Sequence, residues 1–424
     1  MTEIKEYEHP TGAIDDTDAY KGSMFEAFKH WFPTVKVKSK FKCRSNVKLG
    51  SLKPEFDREL DYACGLTFPK EALEFMKVRQ PWIKDDIRDD LEMLKLDRNA
   101  IFTDVDKDGQ LIVETSGTKS AANNTWFEII TLQNVAELYG RTWHKGDPKK
   151  LKMIYDEGDR RLTEFITRIK EQFYKLQKRT GMERPFTLAE FGARRRFSRA
   201  WHEHVLERLV NELPPELFVG TSDMMFARQF NIKPIGTFAH ELYQVAQGVD
   251  EIAPCNVQKA VLELWAKEFR GDLGIALSDI FGFEAFLRDF DKYYAKLYDG
   301  PRHDSADPFI WGEKLINHYK GFNIDPRTKV GVWSDSLNTD KAIAITERFC
   351  GRIGVSICIG TWLTNNVGFS PEFTIPALNI IMKVFESNGK STVKLSDDIG
   401  KAVGDPEMVE FYKKIYKYKS INEP

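Results

Sequence analysis

The chain has 424 residues, 42% of them hydrophobic, enough to bury a large core in two or three structural units. Its 62 Lys and Arg nearly cancel 64 Asp and Glu, so neither a nucleic-acid backbone nor an anionic membrane is expected as the main partner, and basic work has to be local. No stretch approaches the roughly 20 apolar residues that span a bilayer, and the opening MTEIKEYEHPTGAIDD lacks an apolar signal core. With five scattered cysteines (Cys43, Cys64, Cys255, Cys350 and Cys358) and no CxxC, this predicts a cytoplasmic protein without disulfides or a zinc cluster.

Residues 1–146 mix β-like runs such as TVKVKSKFKC and QLIVETSG with helical KEALEFMKVRQ, which predicts an N-terminal α+β domain. Within it, Asp104, Asp106, Asp108 and Gly109 copy the start of a calcium loop, but the twelfth position is Thr115 where a bidentate Glu is needed, so a hairpin turn is the better reading. Asn123-Asn124-Thr125 is a glycosylation sequon by pattern only. Residues 147–185 open on Asp147-Pro148 and continue with Leu, Ile and Phe at helical spacing, a bridging helix. From 186 to 370, short apolar runs alternate with amphipathic helices: KPIGTFAHE, LGIALSD, VGVWSDS and VSICIGT each end in a small or charged cluster. Strands buried on both faces and alternating with helices predict an α/β fold, a parallel βα barrel with its chemistry at the strand ends. The tail, 371–424, adds LNIIMKVFES, STVKLSD and a helix around PEMVEFYKKIYK, and is expected to pack on the N-terminal domain. Asn388-Gly389-Lys390-Ser391 ends like a phosphate-binding loop, but Val384 stands where that loop needs glycine, and no GxGxxG opens a βα unit.

Four clusters fall at predicted strand ends. Glu190-Phe191-Gly192-Ala193-Arg194-Arg195-Arg196 offers three guanidiniums for a diphosphate and an aromatic face for a ring, or else a solvated basic turn. His240-Glu241 offers an imidazole as phosphoryl acceptor or acid-base group, or a structural histidine. Asp279, with Arg302, His303, Asp304, Ser305 and Asp307, suits magnesium, ribose hydroxyls or a carboxylate substrate; helix capping is the plainer role for Ser305 and Asp307. Asp335, with Gly360-Thr361, suits a monophosphate held by backbone amides.

At these clusters the chain resembles the nicotinate phosphoribosyltransferase family, particularly its bacterial and fungal branch, over nearly its whole length. The matching stretches include IDDTDAYKGSM, EFGARRRFSRA, FVGTSDMMFARQFNIKPIGTFAHE, LGIALSDIFGFEAFLRDF, PRHDSADPFIWGEK, SDSLN, CIGTWLTN, LNIIMKVFESNGK and KLSDDIGK. The resemblance implies a type II phosphoribosyltransferase-like barrel and ATP-coupled transfer of a phosphoribosyl group from phosphoribosyl diphosphate to nicotinate, with Mg2+ present, in NAD salvage. It implies that His240 is transiently phosphorylated, with Asp279 and Asp304 also catalytic and Asp279 a magnesium ligand. It places Tyr20 and Phe191 around the pyridine ring, from opposite subunits of a homodimer, and Arg302 at the ring carboxylate. Arg194 falls near the diphosphate, Ser222 and Asp335 among the substrate-binding residues, and Gly360 and Thr361 at the 5'-phosphate. Two departures stand out, since the family usually has glycine where this chain has Ala306 and Cys358; a third is Leu242, where the family usually has Trp. Nicotinamide or another base, or a chain that binds phosphoribosyl diphosphate without turnover, are the competing readings.

Overall fold

The computed structural model describes residues 4, 6–117, 119–398 and 401–421. Two sheets organise it. The first is antiparallel, in the order Lys390–Ser391, Ile380–Ser387, Val37–Cys43, Leu111–Thr115, Ile101–Val105. In Val37–Cys43 the apolar residues Val37 and Phe41 are buried while Lys40 and Lys42 face solvent, the period-two pattern of a half-buried strand. The tail strand lies beside it, with Phe41 opposite Met382. The calcium-like segment is a hairpin turn: Asp106 accepts amides of Asp108 and Gln110, both at 2.9 Å, and Gly109 has φ +79°. Asn388-Gly389 likewise forms a two-residue turn with positive φ at both positions, 48° and 78°.

The second sheet is wholly parallel, in the order Phe218–Thr221, Thr187–Glu190, Gly354–Ile359, Val330–Trp333, Gly300–His303, Ile275–Leu277. The first and last strands in chain order are thus hydrogen-bonded neighbours. Residues 233–238 run between the two sheet edges: Ile235 donates its amide to Thr221 at 2.8 Å, and the Thr237 hydroxyl donates to the Ile275 carbonyl at 2.9 Å. Ala189, Val332 and Cys358 form a small apolar cluster of their own, apart from the main core, with Phe191 packed on it.

Pro148–Thr180 is a 33-residue helix, about 50 Å long at 1.5 Å per residue. Asp147 caps its start through the Lys149 amide at 2.9 Å, and Gly181, with φ 71°, ends it in the left-handed conformation that glycine adopts without strain. Near its middle the guanidinium of Arg161 holds the backbone carbonyls of 367–373, and near its end Gln172 reaches Thr346. No described helix is long and apolar enough to cross a membrane.

An N-terminal strap runs over the ends of the parallel strands. Ala19 donates to Ser222 O at 2.6 Å, and the amides of Met224 and Met225 donate back to Thr17 and Asp15. Beneath it Arg196, fully buried, forms a two-point ion pair with Asp16 at 2.7 and 2.9 Å and donates to Pro10 O. Replacing Arg196 by Leu strands the buried Asp16 charge, and a loss of about 3–5 kcal/mol is expected; urea denaturation that leaves the midpoint where it is in the wild type would contradict this.

Candidate active site

A cavity of about 700 Å3 lies where the parallel strands end, bounded on its other side by the strand Ile380–Ser387 and the tail beyond it. Four of the six parallel strands deliver residues to it: Phe191 and Arg194 after Thr187–Glu190, Arg302 and Asp304 around the end of Gly300–His303, Asp335 after Val330–Trp333, and Gly360-Thr361 after Gly354–Ile359. Gly360 is required by close approach, since a Cβ there would lie 2.7 Å from Phe191 O.

His240 opens the helix His240–Ala246 and is buried. Its Nε2 lies 2.6 Å from Asp279 Oδ1, while Asp279 Oδ2 accepts from Ser305 Oγ and pairs with the Lys394 ammonium, both at 2.9 Å. Asp304 stands close to both partners, 3.7 Å from His240 Nε2 and 3.8 Å from Lys394 Nζ. Burial, seconded by Lys394, holds the imidazole down to about 4 against the upward pull of Asp279. Burial would raise the Asp279 carboxyl, but Lys394 and His240 outweigh it and keep the group well below the usual carboxylate range. The result at neutral pH is an ionised Asp279 that accepts the Nε2 proton of a neutral imidazole, leaving the lone pair on Nδ1.

The cavity is also lined by cations. Arg44, Arg194, Arg195 and Lys383 all line it. Arg194 is fixed through Asp18 at 2.9 Å and the Tyr20 hydroxyl, and Arg195 through the Ile380 carbonyl at 2.9 Å. Burial, with Arg194 and Lys394 nearby, pushes the Lys383 ammonium down to about 8; burial with Arg194 and Arg44 takes the Arg195 guanidinium down to about 10. The Asp335 carboxyl, which also lines the cavity, is pushed up to about 6 by burial and by Asp304. The cavity therefore holds charges that it does not itself fully balance.

Most residues expected from the sequence do meet here, with several differences. Ser222 does not line the cavity; its hydroxyl donates to Asp18 at 2.6 Å, so it holds the residue that holds Arg194. Asp279 stands behind His240 rather than on the cavity wall. Of the three adjacent arginines, only Arg194 and Arg195 reach the cavity, because Arg196 is used up by Asp16. Tyr20 and Phe191, which the resemblance assigns to opposite subunits, line the cavity of a single chain. Arg44, Glu128, Lys383 and Lys394 were not singled out from the sequence; the lysines sit inside β-like runs as ordinary alternating polar residues, and only the folding of the tail across the strand ends brings them in.

The two glycine departures separate cleanly. Cys358 is regular strand, in parallel register with Ala189, and its buried thiol is pushed up to about 12, so it acts as a small apolar filler. Ala306 has φ +79°, a left-handed conformation that glycine adopts freely and alanine does not. Its amide donates to Asp398 at 3.1 Å, which holds the turn beside Ser305 and Asp304. Leu242 is buried beside Ala27 and Trp265, a difference of packing.

A parallel βα core with a cationic wall and a histidine–carboxylate group at its strand ends defines an α/β enzyme that handles a phosphorylated, strongly anionic substrate. The family model described as the nicotinate phosphoribosyltransferase family matches residues 186–420, and that of its N-terminal domain matches 16–136. The nicotinate phosphoribosyltransferase of Chromobacterium violaceum is 40% identical over 410 residues, 96% of this chain and 97% of that protein. The Acinetobacter baylyi one is 40% identical over 394 residues, 92% of each. Among solved structures, nicotinate phosphoribosyltransferase from Vibrio cholerae superposes with a TM-score of 0.88 at 31% identity, covering 99% of this chain and 96% of that one. The Porphyromonas gingivalis structure gives 0.84 at 27% identity, covering 96% and 99%. This chain belongs to the nicotinate phosphoribosyltransferase family.

Ala306→Gly relieves the strained turn, and a gain of about 1 kcal/mol in unfolding free energy is expected; a variant less stable than the wild type in urea would show that the turn is not strained.

Proposed function

We propose that this cavity transfers the phosphoribosyl group of phosphoribosyl diphosphate to nicotinate, giving nicotinate mononucleotide and diphosphate, and that His240 couples the transfer to ATP. The reaction is that of the family to which the chain belongs, a step of NAD salvage. The observation that carries it in this chain is that one cavity brings together four lining cations, Arg44, Arg194, Arg195 and Lys383, and His240, whose imidazole is paired with Asp279. A diphosphate held by those cations supplies the negative charge that Lys383 and Arg195 lack.

Arg302 selects the base. Its Nε is buried with no hydrogen-bond partner among the described residues, and the nearest carboxylate, Asp304, is 4.0 Å from Nη2. A ring carboxylate between Tyr20 and Phe191 satisfies that donor, which a carboxamide does less well because it brings no charge. The pyridine nitrogen then displaces diphosphate at the anomeric carbon through a transition state of oxocarbenium character, and the arginines and Lys383 stabilise the departing charge. No side chain has to bond to the sugar; positioning does the remaining work. The amides at Gly360 and Thr361 are the proposed seat of the 5'-phosphate.

For the coupling, His240 Nδ1 attacks the terminal phosphorus of ATP, the bond to the bridging oxygen breaks and ADP leaves, while Asp279 holds the Nε2 proton as positive charge develops on the ring. Water later cleaves the phosphorus–nitrogen bond. Asp279 already accepts from His240 and Ser305 and pairs with Lys394, and with His240 and Asp304 it offers ligand atoms within 4.8 Å of one another, a set that would hold Mg2+. Asp335 lines the same cavity as Asp304, and burial, with Asp304 nearby, raises it. Mg2+ bound there would supply charge neutralisation for the diphosphate. The homodimer and the cytoplasmic location expected from the resemblance are part of the same reading.

The test is chromatographic. Purified protein with phosphoribosyl diphosphate and Mg2+ is given nicotinate or nicotinamide, with and without ATP, and mononucleotide and ADP are followed. Nicotinate-dependent product increased by ATP is expected from a protein whose mass by light scattering is that of a dimer. His240→Ala is expected to lose ATP hydrolysis and phosphoprotein while keeping a slow ATP-independent reaction. Arg302→Ala should raise the nicotinate KM by roughly 10–100-fold, the worth of a charged hydrogen-bonded pair. Substrate binding without product from either base would sink the reading.

Lys383 supplies a pH signature. Its charged form favours the diphosphate, so binding is strongest below about 8 and weakens as the pH climbs through that value, until the higher value of the bound state is passed. The KM for phosphoribosyl diphosphate should therefore rise between neutral pH and pH 9, and Lys383→Met should flatten that rise while raising KM throughout. An unchanged profile in the variant would assign the titration elsewhere.

A further inference from the structure

Lys21 is wholly buried, yet its ammonium sits between two carboxylates. It donates to Glu128 Oε2 and Glu241 Oε2, each at 2.8 Å, and to Thr125 Oγ1 at 2.9 Å; the Thr125 hydroxyl donates in turn to Glu241 at 2.8 Å. Three elements meet there, the helices Tyr20–Trp31, Phe127–His144 and His240–Ala246, with the turn carrying Thr125. The partners are not interchangeable structural acids. Glu241 directly follows the residue proposed to take the phosphoryl group. Glu128 has a second oxygen, Oε1, which makes no hydrogen bond among the described residues and faces two cavity cations, Arg194 at 3.5 Å and Lys383 at 3.6 Å.

We propose that Lys21 is a positioning residue that relays the charge placed on His240 to the cations that bind diphosphate. The inference rests on the reading of His240 as a phosphoryl acceptor. A phosphoryl group adds close to two negative charges at the residue that immediately precedes Glu241 in the helix His240–Ala246. Glu241 gives way only by loosening its bond to Lys21, whose ammonium then pairs more fully with Glu128. Glu128 in turn relaxes its hold on Lys383 and Arg194; Lys383 becomes free to close on the diphosphate, while Arg194 stays anchored by Asp18. The links from Glu241 through Lys21 to Glu128 are buried, charge-assisted hydrogen bonds, and those from Glu128 to Arg194 and Lys383 are ion pairs at 3.5 and 3.6 Å, where low dielectric makes rearrangement consequential. No proton or bond changes hands in the relay; it is a redistribution of ion pairs. Lys21 touches no substrate and acts only through Glu128 and Glu241.

The experiment uses the full-length enzyme and measures three quantities: phosphoprotein formed from labelled ATP, ATP hydrolysed per mononucleotide produced, and the Kd of phosphoribosyl diphosphate with and without ATP. Glu241→Gln keeps the shape and an acceptor oxygen while removing the charge, and Lys21→Arg keeps the cation while altering its geometry; Lys21→Met removes it. With Glu241→Gln, phosphoprotein should still form, but the tightening by ATP should shrink about tenfold, a coupling of ordinary size, and ATP spent per product should rise. Lys21→Arg should fall between this variant and the wild type. If Lys21→Met does not fold, Glu241→Gln alone decides. A phosphorylated wild type whose Glu241→Gln and Lys21→Arg variants keep normal tightening and stoichiometry would show the buried triad to be structural only, and overturn the relay while leaving His240 in its role. Absence of phosphoprotein in the wild type would remove the reading of His240 and the relay with it.

Discussion

The buried pair of Asp16 and Arg196 is the constraint from which the site follows. Both side chains are inaccessible to solvent, so neither charge is tolerated without the other, and the segment carrying Asp16 is bound to the strand-end loop carrying Arg196. The backbone bonds between 15–19 and 222–225 extend that attachment. Once the strap is fixed, Asp18 is placed to hold Arg194, and Tyr20 arrives at the cavity with its hydroxyl on the same guanidinium. An N-terminal segment far in sequence from the parallel strands thereby becomes part of their binding surface.

What the sequence made legible was set by the logic of parallel βα units. Each unit ends its strand at the same edge of the sheet, so polar clusters after apolar runs could be placed together without knowing the sheet order. Phe191, His240, Arg302, Asp304, Asp335 and Gly360 were found on that ground. The residues not found arrive by other routes. Lys383 belongs to a strand of the other sheet, and Lys394 to the tail that follows it; in a linear reading each is a lysine alternating with apolar neighbours, which usually means a solvated face. Glu128 opens a helix whose burial is nearly complete, and nothing in its local text marks one carboxylate oxygen as facing a cavity.

The reverse failure is also instructive. Three consecutive arginines look like one cationic patch, but a tight turn fans successive side chains apart, and the buried one serves the fold while its neighbours serve the cavity. Composition at a motif sets which chemistry is available; direction sets which residue delivers it. The same distinction governs the glycine departures. Both exchange a hydrogen for a side chain, yet at Cys358 the strand accepts it, while at Ala306 the backbone keeps the conformation of the glycine that is gone.

That Ala306 retains this conformation says how strongly the surrounding contacts specify the turn. Its amide is tied to Asp398 and its carbonyl to His303, and Ser305 one residue earlier donates to Asp279. Relaxing the backbone at Ala306 would move Ser305, and with it the carboxylate that orients His240. The imbalance of charge in the cavity obeys the same logic: lysine, arginine and aspartate groups stand displaced from their ordinary ionisation because the fold holds them at fixed distances before any ligand is present. In water such groups would reorganise around an arriving anion. Asp18 and the Ile380 carbonyl limit that freedom for the Arg194 and Arg195 guanidiniums, so two of the cations that line the cavity are held in set positions by the fold itself.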